Sequence, residues 1–249
     1  MRTVSGIARR FQLLGRRWRP AVVRAAAVRP LAAGRSPLLS DRIGDQRRGG
    51  VVLDQMDGTT CGSAVLVALA AWADPTETRR LDGPVTPSAG DGRAAVGERG
   101  IAAVAPAGVS PGFSARYDAR QKQVHRESAG LWPRLFGTPP WGMVRWLRRN
   151  VPSAGPYRVR LVDDLDARDV ADVVEAIGVA LRAGRPVPML VGPSIPRHYV
   201  MAIGMHGAGW KVYEPSSGQI RALDPARIAA RTLGGTLGFD RLHAAFLPS

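Results

Sequence analysis

The order in which helical and strand patterns follow one another constrains this chain more than any other feature. Residues 63–72 are nearly all apolar, and later segments space their apolar residues at helical intervals or in short alternating runs. Helices are predicted over residues 63–72, 114–128, 141–149 and 166–183. Strands are predicted over residues 186–191, 198–205, 210–213 and 219–223, as in an antiparallel meander. Helices first and antiparallel strands last indicate an α+β fold.

The remaining segments suggest one main domain with one long excursion. A short β-branched run at residues 51–53 leads into a polar loop, and Gly184 is a natural stop after the helix at 166–183. Glycine and proline are dense over residues 81–112, which predicts a long surface excursion. We expect residues 51–249 to form a single domain around one core, since 45% of the residues are hydrophobic.

The positive charge is concentrated in the first 50 residues. Twelve arginines face two aspartates there, so this segment carries ten of the fifteen net positive charges. We predict a basic, solvated arm over residues 1–50, without an apolar stretch long enough for a secretory signal or a membrane span. A strong preference for arginine over lysine, together with many Ala, Gly and Pro residues, is typical of a GC-rich bacterial genome. This preference weakens a nucleic-acid interpretation of the charge.

Cys61 is the only cysteine, which excludes an intramolecular disulfide and a zinc site built on several thiolates. No glycine-rich phosphate loop and no metal-spaced cluster of His, Asp or Glu stands out, so neither a cofactor nor a metal is expected. The single thiol is then either a small buried apolar group or a reactive one.

Three features favour a reactive thiol. Cys61 follows a turn at residues 57–60 and begins a predicted helix, whose N-terminus favours a thiolate. Gly62 adds no side chain that would block an approaching carbonyl group. Gln55 lies six residues before Cys61, where its amide and the Cys61 backbone N–H would together form an oxyanion hole.

Gln55 followed after five residues by Cys61-Gly62-Ser63 and an apolar helix resembles the papain-like cysteine peptidases. In style the chain is most similar to the bacterial double-glycine leader-peptidase-like family, which processes bacteriocins. The resemblance covers residues 51–246. It implies a papain-like fold, with the nucleophile helix in an N-terminal helical half and an antiparallel sheet at the C-terminus.

The same resemblance assigns the remaining catalytic residues. His198, at the start of a late strand, matches the catalytic histidine. Glu214, at the end of the next strand, takes the place of the Asn or Asp that usually orients the histidine. Glutamate can accept from an imidazole N–H, although its extra methylene requires a different backbone position. Asp224 is the alternative acceptor.

The resemblance implies a cysteine hydrolase that cleaves a peptide or isopeptide bond through a Cys61 acyl-enzyme. Because no secretory signal is evident, we expect it in the cytoplasm, where a lone thiol stays reduced. An acyl or amine transferase would use the same residues, and a non-catalytic papain-like binding module would keep only the fold. A third class is an arginine-rich binder of nucleic acid or membrane surfaces. As partners we expect a peptide or protein substrate, with weak contacts between the basic arm and anionic surfaces or nucleic acid.

Overall fold

The computed structural model describes residues 2–14, 38–83, 112–130, 132 and 137–249. Its helices are α1 (Val4–Leu14), α2 (Cys61–Ala73), α3 (Pro75–Asp82), α4 (Phe113–Ala129), α5 (Pro140–Asn150), α6 (Ala167–Arg182), α7 (Ala226–Ala230) and α8 (Gly234–Leu237). Its strands are β1 (Gly44–Asp45), β2 (Arg47–Arg48), β3 (Val51–Val52), β4 (Tyr157–Leu161), β5 (Val187–Gly192), β6 (His198–His206), β7 (Gly209–Glu214), β8 (Gln219–Leu223) and β9 (Arg241–Pro248). Most of the excursion expected over residues 81–112 lies outside the described residues.

One antiparallel sheet organises the domain. Its strand order is β1-β8-β7-β6-β5-β9-β4, and every neighbouring pair is antiparallel. Strands β2 and β3 form a separate hairpin. Gly49 and Gly50 connect them with φ values of 55° and 81°, the left-handed conformation that a two-residue hairpin turn of this type requires at both positions.

Helices cover both faces of the sheet. On β6, Tyr199, Met201 and Ile203 join one apolar cluster with α2, α4 and α5. Val200 and Ala202 of the same strand join a second cluster with α6, α7 and α8. Alternate side chains of a strand point to opposite faces, so β6 is covered on both sides. Mixed helices and an antiparallel sheet confirm the predicted α+β class.

The four predicted helices are present as α2, α4, α5 and α6. The clearest of them, α6, begins after Asp166, whose carboxylate accepts hydrogen bonds from the Arg168 and Asp169 amides. This is the usual way to satisfy the first free amides of a helix. The chain leaves α6 through Gly184 at φ 68°, the stop that the sequence indicated.

Strands β4 and β9 were missed by the sequence analysis. Residues 242–248 of β9 are all buried, because β9 lies between β4 and β5 with packing on both faces. A strand buried on both faces reads as a continuous apolar run, which periodicity cannot distinguish from a buried helix. Strands β4 and β9 pair with each other although they lie far apart in the sequence. Only the tertiary structure reveals this pairing.

The prediction of a solvated arm over residues 1–50 differs from the structure in two segments. Helix α1 packs against the domain: Arg9 Nε lies 3.2 Å from Asp169 Oδ1, and Ser5 Oγ lies 3.0 Å from His243 Nδ1. Leu38 and Leu39 are buried, and β1 pairs with β8. Residues 15–37 of the predicted arm lie outside the described residues.

The physical reason for this difference is long-range charge compensation. Arg9 and Asp169 are both buried, and Arg10 Nε lies 2.8 Å from Asp163 Oδ2. The acids that pair with these arginines come more than 150 residues later, so local composition shows only excess positive charge.

Within the described ranges, no helix has the length and apolar composition needed to cross a bilayer.

Candidate active site

Cys61 is the first residue of α2, at the end of a turn stabilised by its own side chains. Asp57 Oδ1 accepts from the Thr59 amide and hydroxyl at 2.8 Å, and Thr60 Oγ1 accepts from the Asp57 amide at 3.0 Å. The N-cap residue Thr60 makes no side-chain bond to the helix. No side-chain cap therefore occupies the first amides of α2. Free amides at a helix N-terminus favour a negatively charged group there.

His198 begins β6, the strand against which α2 packs, and it lies close enough to Cys61 for the thiol side chain to raise the pKa of the imidazole. His198 Nε2 lies 2.8 Å from Glu214 Oε1. Because Nε2 is engaged by the carboxylate, Nδ1 is the ring nitrogen left for the sulfur. Phe239 lies beside the same imidazole, with ring centroids 5.9 Å apart.

Glu214 ends β7, next to β6 in the sheet, and its carboxylate is held at both oxygens. Oε1 accepts from His198 and from the Ser216 amide at 2.8 Å. Oε2 accepts from the Ser217 amide at 3.0 Å and from the Ser217 hydroxyl at 2.7 Å. Four hydrogen bonds on a buried carboxylate keep it charged and fix its orientation.

The pKa values follow from these contacts. Burial alone would lower the pKa of His198, but hydrogen bonds to Cys61 and Glu214 and the attraction of both groups raise it from 6.5 to about 9. Burial would raise the pKa of Glu214, but hydrogen bonds from His198, Ser217 and the Ser216 amide lower it from 4.5 to about 2. At neutral pH the two residues form a buried ion pair.

Gln55 is linked to the site through the turn after β7. Its backbone amide donates to the Pro215 carbonyl at 2.7 Å, and its Oε1 accepts from Ser216 Oγ at 3.2 Å. Its Nε2 donates to the Asp57 carbonyl at 2.7 Å. Hydrogen bonds therefore connect His198 through Glu214 and Ser216 to Gln55, and Cys61 lies beside His198.

The alternative acceptor, Asp224, does not join this network, because its carboxylate accepts from the Ala226 amide at the start of α7. The other three histidines occupy different environments. His206 is exposed, but His125 and His243 are buried on α4 and β9. His243 bonds to Ser5 of α1, a partner that sequence spacing cannot indicate.

Several residues near the site were missed by the sequence analysis. Ser216 and Ser217 hold Glu214, and the only sequence signal for them is a pair of hydroxyl residues after Glu-Pro. Tyr199 lies close to Cys61, and its burial holds the pKa of the phenol well above its usual range. Its hydroxyl donates to the Thr138 carbonyl at 2.8 Å, which ties the loop before α5 to β6.

Gly62 has a packing role that the sequence analysis did not foresee. A Cβ added there would lie 2.9 Å from Thr138 Cβ and 3.2 Å from the Tyr199 ring. The glycine therefore allows α2, the loop before α5 and β6 to approach closely beside Cys61. We had expected it to leave room for a substrate carbonyl, whereas its Cα faces protein atoms.

Replacing Gly62 with alanine is expected to lower the free energy of unfolding by about 1–3 kcal/mol, because a packed interface must expand. The higher helix propensity of alanine, about 1 kcal/mol or less, offsets only part of this loss. Urea denaturation measures the difference. The matched control is Gly178→Ala in α6, where the added Cβ meets only the flexible end of Arg182 at 3.3 Å. Equal effects at both glycines would contradict the packing argument.

Among the described residues, no group of three or more His, Cys, Asp or Glu side chains is arranged to hold a metal ion. The arrangement places a thiol at a helix N-terminus beside an imidazole that is hydrogen-bonded to a carboxylate. Comparisons of the chain with protein-family models, curated proteins and solved structures return no match.

Proposed function

We propose that this chain is a papain-like cysteine hydrolase that cleaves a peptide or isopeptide bond through a Cys61 acyl-enzyme. The observation that carries the proposal is the hydrogen-bonded pair of His198 and Glu214 beside Cys61, at the N-terminus of α2. A thiolate is stabilised there by the helix dipole and by the imidazolium. The nearest family in style is the double-glycine leader-peptidase-like one, and we place the reaction in the cytoplasm, where a single thiol stays reduced.

In the proposed acylation step, the Cys61 thiolate attacks the carbonyl carbon and the carbonyl electrons move onto oxygen. The Cys61 backbone N–H and the Gln55 amide stabilise this oxyanion. An amide nitrogen carries two hydrogens, so the bond from Gln55 Nε2 to the Asp57 carbonyl leaves the second for the oxyanion. When the C–N bond breaks, His198 Nδ1 gives its proton to the departing amine.

In the proposed deacylation step, water attacks the thioester while His198 Nδ1 accepts one of its protons. The C–S bond breaks, the acid product leaves, and the thiolate and imidazolium are restored. Throughout, Nε2–H donates to Glu214, which fixes the ring and compensates its positive charge. A transferase on the same residues would differ only in using an amine in place of water.

The proposal is tested by incubating the chain and its Cys61→Ala variant with a peptide library and following cleavage by mass spectrometry. We expect new peptide termini and a Cys61 thioester only with the unmodified chain. Products that form only when an amine is supplied would identify a transferase.

One observation favours a second candidate, a non-catalytic binding module: Cys61 and His198 are only 5% and 6% exposed. Peptides retained equally by both proteins and never cleaved would identify that module.

A further inference from the structure

Helix α1 packs against the domain through its polar face and leaves its apolar face exposed. Its buried face carries Ser5, Gly6 and Arg9, which contact His243, Asp163 and Asp169. Its apolar residues Val4, Ile7 and Phe11, spaced at i, i+3 and i+7, point outward. They are 54%, 46% and 69% exposed. An amphipathic helix of a globular protein normally buries its apolar side. The exposed apolar stripe of α1 is therefore a candidate surface for binding another apolar surface.

We propose that the stripe of Val4, Ile7 and Phe11 inserts into an anionic lipid surface. Four of the nine large apolar side chains that are exposed in the described part of the chain lie on α1. A further one, Ile195, follows Ser194, whose carbonyl accepts from the Val4 amide. An apolar helix face beside basic residues is the combination that binds bilayer interfaces.

The charge around the stripe favours anionic lipid. Arg2 and Arg10 are 36% and 49% exposed in side-chain terms, and both approach the single carboxylate of Asp163, at 3.7 and 2.8 Å, so these three side chains keep one net positive charge. Beyond α1 the sequence adds Arg16, Arg17 and Arg19, and no acidic residue precedes Asp41. Each such arginine near an anionic bilayer contributes a favourable attraction that the salt concentration controls. Nucleic acid would satisfy these charges but would leave Ile7 and Phe11 without apolar contacts.

The size and charge of the stripe argue against a second copy of the chain. A helix of 11 residues is about 16 Å long, and one of its faces offers far less than the ~800 Å² that each partner of a stable protein interface buries. Pairing two copies through α1 would also bring two arginine-rich segments together in a chain of net charge +15. A lipid surface needs only a small apolar area when charge assists it.

The test is co-sedimentation with phosphatidylcholine vesicles prepared with and without phosphatidylglycerol, comparing the full chain with Ile7→Ser/Phe11→Ser. We expect binding only to vesicles that contain phosphatidylglycerol, weakened by salt, and at least about tenfold weaker for the variant. The matched control is Ile43→Ser/Trp141→Ser, which removes side chains that are 47% and 55% exposed elsewhere. This control is expected to bind like the unmodified chain.

Several results would overturn the proposal. Equal binding to vesicles without phosphatidylglycerol would remove the charge argument, and binding of the variant at full strength would assign the contact to the arginines alone. Loss in the variant of self-association, seen by light scattering, or of oligonucleotide binding would name a second copy or a nucleic acid as the occupant. A less stable variant with unchanged vesicle binding would assign the stripe to a contact within the chain. Since vesicle binding does not depend on Cys61, these outcomes are separate from the proposed catalysis.

Discussion

Replacing His198 with alanine is expected to slow alkylation of Cys61 by iodoacetamide at pH 6 by roughly tenfold or more. The pKa of His198 is raised to about 9, so in the unmodified chain the imidazolium lies beside the sulfur at pH 6 and favours the thiolate. An ordinary thiol with a pKa of about 8.5 is less than ~1% thiolate at that pH, so loss of the cation removes most of the nucleophile. The thiolate of a more acidic thiol is intrinsically less nucleophilic. The expected difference in alkylation rate is therefore smaller than the several hundredfold difference in the thiolate fraction.

The shape of the pH profile gives a second, independent readout. With His198 present, the rate of Cys61 alkylation should change little from pH 6 to pH 8, because the cation persists over that range. In the alanine variant the rate should rise with pH as for a simple thiol, so the two profiles converge near pH 9. Mass spectrometry of the labelled peptide measures both rates.

His206→Ala is the matched control, because this histidine ends the same strand but is exposed. It should leave the alkylation rate unchanged at every pH. Labelling in urea should also become equal for all variants, since unfolding removes the site. Equal rates for the unmodified chain and His198→Ala at pH 6 would mean that the histidine does not activate the sulfur.

Replacing Glu214 with alanine is expected to lower the free energy of unfolding by roughly 3 kcal/mol at pH 5.5, and to slow alkylation as well. The carboxylate is 4% exposed and accepts four hydrogen bonds. Alanine leaves the His198 cation buried without its partner, and breaking a buried pair from one side costs about 3–5 kcal/mol. Urea denaturation measures the loss.

The pH dependence of this loss has a definite sign. The pKa of Glu214 is about 2, below its ordinary 4.5, so its stabilising contribution is complete above pH 4.5 and disappears as the pH falls through 2. The pKa of His198 is about 9, above its ordinary 6.5, so its contribution is complete below pH 6.5 and is lost as the pH rises through 9. The cost of Glu214→Ala should therefore be greatest between about pH 4.5 and 6.5.

Glu175→Ala is the control, because this glutamate is exposed on α6 and is expected to change stability by less than about 0.5 kcal/mol. Glu214→Gln separates shape from charge: it keeps an acceptor for His198 Nε2–H but should lower the pKa of the histidine. A cost of Glu214→Ala that stays the same at pH 5.5 and pH 10 would assign the stabilisation to the serine contacts and not to the ion pair.

Local sequence was sufficient for the elements that carry their own signals. The apolar helix after Cys61, the helix that stops at Gly184 and the late strand beginning at His198 each follow from short-range periodicity and stop signals. Gln55 and Cys61 were found in this way because they share one loop and helix. His198 and Glu214, on consecutive strands far along the chain, were assigned through the resemblance to papain-like peptidases.

Contacts between residues that lie far apart in the sequence were visible only in the tertiary structure. Ser216 became a partner of Gln55 across 161 residues, and a close approach to Thr138 and Tyr199 was revealed at Gly62. Strands β4 and β9 were recognised only through their pairing with each other. Helix α1 departed from the expected arm because Arg9 finds Asp169 across 160 residues, and charge compensation at such separation leaves no mark on local composition.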